Sequence, residues 1–300
     1  MLAIKRDIID KASEWIYTSG PYLPLKCQLG EGPFYEEGTG ELRFVDIIKK
    51  EIHSVNLKEG PSSHKVTKLE HSVGENISLL RKLGFAIFNK ATGELKYIKK
   101  VYDNAEKAER FNNAAVDTKG RFWTGAMNDP HVGEPQQEGC VFRLDPDLTH
   151  HRMIENVSIP NGMGWSPDDK TMYFTDSPTR NIVAYDYDSE TGSVSNKRTL
   201  FTVEEEGVVP DGCTIDTEGF LWIALHEGSR VIRIPPEGKI LGKITCPIFG
   251  GLDLNELFTT AGVGEEEPKP EGSVDNGAVF RIRTSSKGLP ANKFILSAKP

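Results

Sequence analysis

Three hundred residues, 37% of them apolar, suffice for an ordinary soluble core, in two domains or in one large β architecture. A formal charge of −8 argues against nucleic acid as the main partner, because phosphate recognition needs a basic surface. No apolar run approaches the roughly 20 residues of a bilayer-spanning helix, so no membrane partner is expected either.

In chain order, the opening stretch MLAIKRDIIDKASEWIYTSG mixes acids and bases and holds no signal-peptide core. A cytoplasmic protein is the expectation. Cys27, Cys140, Cys213 and Cys246 lie far apart without C-x-x-C spacing, which suits buried free thiols in a reducing compartment. Helix signals are thin: IIDKASEWI at 8–16 and DNAEKAERF at 103–111 each predict a short turn or two.

The rest of the chain repeats. A turn rich in Asp, Glu and Gly followed by an alternating apolar strand recurs at 35–47, 116–127, 165–177, 215–225 and 251–261. Successive copies start about 81, 49, 50 and 36 residues apart, so one copy near 75–90 is missing or degenerate. Each copy is followed by a second strand, such as NIVAYDYDSETG or RVIRIPPEG, and several by a third, such as HRMIENV. About four strands per unit with few helices predict an all-β fold, a six-bladed β-propeller around a central channel, which the polar residues described next make a candidate metal-binding channel. A β-sandwich of similar strand spacing is the competing architecture. The expected organisation is one domain over 1–300. Residues 1–25 form an extension packing on or closing the ring, and the second blade, around 65–100, is shortened.

In a propeller, the turns entering the innermost strands crowd around the axis. Four such turns carry polar residues that a core has little use for: Glu31 in LGEGPFY, Arg110 with Asn112 and Asn113 in ERFNNAAVD, Asn161 in IPNGMGWS, and Asp211 in VPDGCTID. Two carboxylates and a carboxamide, Glu31, Asp211 and Asn161, supply three oxygen ligands for a hard divalent cation. Taken singly, Asn-Gly and Asp-Gly are ordinary turn signals; their recurrence at matching places in different repeats points to a site. Asp168–Asp169 in SPDDK reads as a surface turn, and the acidic runs at 204–206 and 265–267 as solvated loops. No G-x-S-x-G elbow or H-E-x-x-H helix is present. The seven histidines are scattered, and His226, just after the LWIAL strand, reads as a solvent-facing loop histidine rather than a channel neighbour.

With LGEGPFY, ERFNNAAVDTKGRFWTGAM, IPNGMGWS, YFTDS, IVAYDYD and VPDGCTIDTEGFLWIAL in this order, the chain resembles the SMP-30/gluconolactonase/luciferin-regenerating (regucalcin-like) family over about residues 27–285. The resemblance implies a six-bladed propeller holding one catalytic divalent cation (Ca²⁺, Zn²⁺, Mg²⁺ or Mn²⁺) and hydrolysing sugar lactones. It implies that Glu31, Asn161 and Asp211 are the metal ligands and that Asn112 and Arg110 contact the substrate. Asp211 would also be the general base or acid, with a pKa lowered by the cation; direct activation of water by the cation is the other route. Phosphotriester or aryl ester hydrolysis and a non-catalytic calcium-binding propeller are the alternatives. A lactone is the expected partner, and the protein is expected to be a monomer. Two departures stand out: Asn113 occupies a place where the family usually has Asp, and about ten residues are missing between VGENISLL and GFAIFNKATGELKYI. The loop 128–139, where the family carries a substrate lid, diverges too far to transfer any residue.

Overall fold

The computed structural model describes residues 20–69, 84–89, 92, 94–102, 109–130, 133–228, 230–234, 247–260 and 277–297. Its strands run in antiparallel meanders. The first sheet holds β1 (Gly30–Glu36), β2 (Glu41–Asp46), β3 (Glu51–Asn56) and β4 (Lys65–Lys68). A two-stranded ladder follows, β5 (Gly84–Phe88) with β6 (Leu95–Lys100). Two four-stranded sheets come next: β7 (Glu109–Val116), β8 (Phe122–Asn128), β9 (Gly139–Leu144) and β10 (His150–Val157), then β11 (Pro160–Trp165), β12 (Thr171–Asp176), β13 (Asn181–Asp188) and β14 (Ser193–Thr202). Two three-stranded sheets end the chain: β15 (Val209–Ile215), β16 (Leu221–His226) and β17 (Arg230–Ile234), then β18 (Pro247–Gly250), β19 (Glu256–Thr260) and β20 (Val279–Arg283).

The fold is an all-β propeller. Five blades of three or four strands are described where the repeat count predicts six. The two-stranded ladder stands between the first two of them, and 70–83, much of the stretch where a degenerate copy is expected, lies outside the described residues. The first strand of each blade is innermost: β7 packs on β11, β11 on β15, β15 on β18, and β18 on β1. These five strands, with residues 289–292, line a central cavity of about 400 Å³; Asn113 faces it, whereas Glu31, Asn112, Asn161 and Asp211 are not among its lining residues.

Apolar clusters fill the spaces between neighbouring sheets, as radial repetition requires, because a blade buries its faces only against its neighbours. Trp123 and Val141 meet Trp165, Met172 and Phe174. Tyr173, Ile182 and Ala184 meet Ile215, Ile223 and Ile232. Trp222 and Val231 meet Phe249 and Leu257. Leu42, Phe44 and Val55 meet Phe258 and Val279, which joins first blade to last. The β5–β6 ladder is held on both sides, through Phe85 against Phe111 and Phe122 and through Phe88 against Val45 and Ile52.

The two ends of the described chain bind across blades. Leu23 exchanges backbone hydrogen bonds with Val279 at 3.1 and 3.0 Å, and the Cys27 N–H donates to the Gly277 carbonyl at 3.0 Å. Residues 1–19 of the expected extension, and with them the helix expected at 8–16, lie outside the described residues. The 284–297 segment crosses the far ends of the inner strands: Leu289 N donates to Ile215 O, Asn292 Nδ2 to Val116 O, and Ile295 N to Gly120 O.

The helix expected at 103–111 is corrected where it is described. Glu109–Phe111 open strand β7, since Phe111 belongs to the apolar cluster between β5–β6 and the β7 blade, and tertiary burial overrides local propensity. Among the described residues the helical segments are single 3-10 turns at Pro61–Ser63 and Ser177–Thr179, and no helix is long and apolar enough to cross a membrane. Cys27, Cys140 and Cys213 are free thiols; Cys246 lies outside the described residues.

The recurring turns owe their shape to buried carboxylates. Asp117 Oδ1 accepts from Lys119 N and Arg121 N, and Oδ2 from Arg121 Nε, Trp123 Nε1 and Tyr187 OH. Asp216 repeats the device with Glu218 N, Phe220 N, Trp222 Nε1 and the Arg233 guanidinium. In the β11 blade Ser166 holds the turn, accepting from Thr171 N, and six residues on stands Met172, which has no side-chain N–H to offer a carboxylate. Asp168 beside it is exposed and accepts from Ser166 Oγ, as a surface turn should, and the exposed Glu204–Glu206 loop is likewise solvated.

Candidate functional site

At its N-terminal half, each of four inner strands carries one residue more than its partner strand. The register shifts between Glu31 and Phe34 in β1, Phe111 and Ala114 in β7, Pro160 and Met163 in β11, and Pro210 and Cys213 in β15. A β-bulge bends the strand and re-aims the extra side chain. Glu31 borders the first bulge, and Asn112–Asn113, Asn161 and Asp211 lie inside the other three. Strand β18 pairs with β19 without a shift. Apart from Arg110, which pairs regularly with Met127, the polar residues singled out in the sequence therefore sit in or beside places where the backbone departs from regular pairing.

Carboxylates on the second strand fix where two of these inner strands begin. Asp46 accepts from Gln28 N and Leu29 N, just ahead of β1. Asp176 accepts from Ser158 N and Ile159 N, just ahead of β11. Both clamps satisfy backbone donors that the bulged strand cannot pair, and Asp46 is fully buried while doing so.

The structure joins Asn112, Asn161 and the start of β15 in one hydrogen-bonded chain. Asn112 Nδ2 donates to Pro160 O at 2.9 Å and to Asn161 Oδ1 at 3.2 Å. Asn161 Nδ2 donates to Ser177 Oγ at 2.9 Å, and Ser177 Oγ donates to Pro210 O at 2.7 Å. Gly162 makes the close approach possible: a Cβ there would lie 2.8 Å from Asp211 O and 2.9 Å from Cys213 Sγ. Both asparagines are buried.

Asp211 is set apart by its electrostatics. Burial pushes its carboxyl above the ordinary value, because desolvation penalises the anion; His226, the Gly212 N–H and Arg110 pull the other way. Among the described residues Arg110, and His226 when protonated, supply the positive charge that acts on it. His226 ends β16 with an exposed side chain, in agreement with its reading as a solvent-facing residue. Glu31, half-buried on β1, is placed by register: Gly30 pairs with Asp46 as Pro160 pairs with Asp176, so Glu31 and Asn161 are equivalent. Hydrogen bonds and charge effects link the other four residues, Asn112, Asn161, Asp211 and Arg110; the equivalence links Glu31.

Ser177 went unrecognised in the sequence, although it ends the YFTDS stretch. Its signal is positional. The same register places Ile47 behind Glu31, Met127 behind Asn112, Ser177 behind Asn161 and His226 behind Asp211. Only comparison across the blades brings out that column.

Among the described residues no three or more His, Cys, Asp or Glu side chains cluster as a metal site. The candidate set, two carboxylates with an amide oxygen, is of a different kind and suits a hard cation rather than Zn-type N/S ligation. The desolvated Asp211 carboxylate and the Asn161 oxygen, turned from Ser177 by the amide's own hydrogen bond, both fit such an ion.

A family model, the SMP-30/gluconolactonase/LRE-like region, matches residues 29–263. The chain belongs to this family. Rabbit (Oryctolagus cuniculus) regucalcin is 35% identical over 290 residues, covering 89% of this chain and 95% of that protein. YvrE of Bacillus subtilis (strain 168), named for sugar lactone lactonase activity, is 35% identical over 248 residues, covering 78% of this chain and 84% of its own. The solved structure of a luciferin-regenerating enzyme superposes with a TM-score of 0.80 at 31% identity, over 94% of this chain and 99% of that one. The matched family region begins two residues before Glu31 and runs past Asp211, so it contains every candidate residue.

Proposed function

We propose that this SMP-30/gluconolactonase-family protein is a divalent-cation-dependent hydrolase that opens a sugar lactone. The observation that carries the reading is the coincidence of four inner-strand bulges with Glu31, Asn112, Asn161 and Asp211. The name of the Bacillus relative supports the substrate class. Glu31, Asn161 and Asp211 hold the cation, which when bound would polarise the ester carbonyl.

The protein's own groups then do the following. Asn112 is anchored through Nδ2, so its Oδ1 is the atom presented to a substrate hydroxyl. Arg110 offers positive charge beside Asp211 and orients the polar lactone. Asp211 takes a proton from the attacking water as the new C–O bond forms at the carbonyl carbon. It returns that proton to the ring oxygen as the ring C–O bond breaks. The β5–β6 ladder, gripped by apolar clusters on both sides, is on this reading the described part of a sixth blade completing a monomeric ring.

The test is hydrolysis of D-glucono-δ-lactone and a small aldonolactone panel by cation-stripped protein, followed by proton release. Activity returning with Ca²⁺, Mg²⁺, Mn²⁺ or Zn²⁺ is the expected result. No activity from folded protein shown to bind the cation would overturn the lactonase reading.

A further inference from the structure

We infer that Ser177 is a positioning residue that selects which atom of the Asn161 amide faces the cation; the inference rests on Asn161 being a ligand. Ser177 is 3% exposed, and its hydroxyl has one proton to give. Pro210 O can only accept, so that proton is spent on it, at 2.7 Å. The hydroxyl oxygen must then accept from Asn161, and Nδ2 is the only donor on that amide, at 2.9 Å. The amide is thereby locked with Oδ1 turned away from Ser177, where Asn112 Nδ2 meets it at 3.2 Å. A flipped amide would present two N–H groups to the cation and two oxygens to each other.

Ser177 is itself held firmly. Its N–H donates to Ile159 O at 3.1 Å, while the adjacent Asp176 carboxylate clamps Ser158 N and Ile159 N. The serine therefore couples the entry of β11 to the entry of β15 through a single atom.

The equivalent positions in other blades follow the same logic. Behind Glu31 stands Ile47, and a carboxylate with two like oxygens needs no selection. Behind Asn112 stands Met127, but there the Pro160 carbonyl fixes which amide atom points where. Behind Asp211 stands His226, and there too a carboxylate with two like oxygens needs no selection. Among these positions a hydroxyl appears only behind the amide ligand.

The test is calorimetric titration of cation-stripped wild type, Ser177→Cys and Ser177→Ala with Ca²⁺, Mg²⁺, Mn²⁺ and Zn²⁺, alongside the melting midpoint of each cation-free protein. Loss of a hydrogen-bonded residue behind a ligand weakens metal affinity by about 10- to 100-fold. Ser177→Ala is expected to show a loss of that order, with Ser177→Cys, which keeps a weak donor and acceptor, in between. A purely structural serine would lower the midpoint and leave affinity alone. Folded Ser177→Ala binding within about twofold of wild type overturns the inference; should that variant not fold, unchanged affinity in Ser177→Cys does so. A wild-type protein that binds none of the four cations overturns the ligand reading itself, and this inference with it.

Discussion

Asp211 and Asp216 lie five residues apart on and just beyond β15, and they show two uses of a carboxylate taken out of water. Asp216, fully buried, accepts two backbone N–H groups, an indole N–H and a guanidinium, so its lone pairs are spent on the protein. Asp211 lies inside a bulge, receives the Gly212 N–H and the positive charge of Arg110, and is desolvated enough for its carboxyl pKa to rise. The first arrangement builds a turn. The second leaves a carboxylate whose charge calls for a ligand, and that difference, rather than acidity or burial alone, separates architecture from chemistry.

The largest effect should come from breaking the architectural carboxylate. Asp216→Ala leaves the Trp222 N–H and the Glu218 and Phe220 backbone N–H groups without their acceptor, and the Arg233 guanidinium with only the exposed Glu218 carboxylate. Each buried donor so orphaned costs about 1–3 kcal/mol. Urea unfolding should show that loss, while cation affinity of the folded protein stays at the wild-type value. Reduced affinity at unchanged stability would place Asp216 in the site and erase the distinction.

Smaller changes sharpen the contrast from the site's side. Gly162→Ala sets a methyl against Asp211 O and Cys213 Sγ, and such overpacking costs about 1–3 kcal/mol. It should weaken cation binding as well, because the bulges of β11 and β15 must separate. Asn112→Ala removes a polar contact worth about 1 kcal/mol, so KM should rise several-fold, to about tenfold. Cation affinity should fall less; an equal loss of both would make Asn112 a ligand.

The smallest effect lies away from the site. His53 Nδ1 and His64 Nε2 face each other at 3.0 Å, with Phe44 stacked on His53. Burial lowers the pKa of both, and His64 lowers that of His53 further. A histidine whose folded pKa is depressed binds protons first in the unfolded chain. Stability is then full above the ordinary value of about 6.5 and declines as pH falls from there toward the folded pKa values. The melting midpoint should drop modestly over that window, and His53→Phe should flatten the drop. An unchanged pH profile in His53→Phe would remove this pair from the account.

Much of this was legible in the sequence, for identifiable reasons. The alternation in TMYFTD and FLWIAL announces strands, and spacing of the turns rich in Asp, Glu and Gly announces repetition, because both are local. Glu31, Asn112, Asn161 and Asp211 could be selected because polar residues at matching places in successive repeats have no use in a core. What escaped was non-local. A bulge is a count of residues against a partner strand, so neither LGEGPFY nor VPDGC reveals one alone. Ser177 acts through Pro210, 33 residues on, and its meaning depends on a register that only pairing defines. Asp117 and Asp216 lie in two of the recurring turns, yet their Trp, Tyr and Arg partners come from further along the same blade or from the next one. Glu109–Phe111 look helical locally and become strand because Phe111 is needed in a core.

The most direct measurement pairs the two carboxylates. Asp211→Asn and Asp216→Asn would each be assayed for cation-dependent lactone hydrolysis and for the melting midpoint without cation. An acid whose folded pKa is raised loses stability as pH climbs from about 3.9 toward that folded value, so above the folded value the ionised Asp211 costs the empty protein stability. The neutral Asn should therefore keep or raise the midpoint while hydrolysis is lost, whereas Asp216→Asn should lower the midpoint and leave the folded enzyme active. Wild-type hydrolysis in Asp211→Asn, or a fall in its midpoint like that of Asp216→Asn, would contradict the assignment.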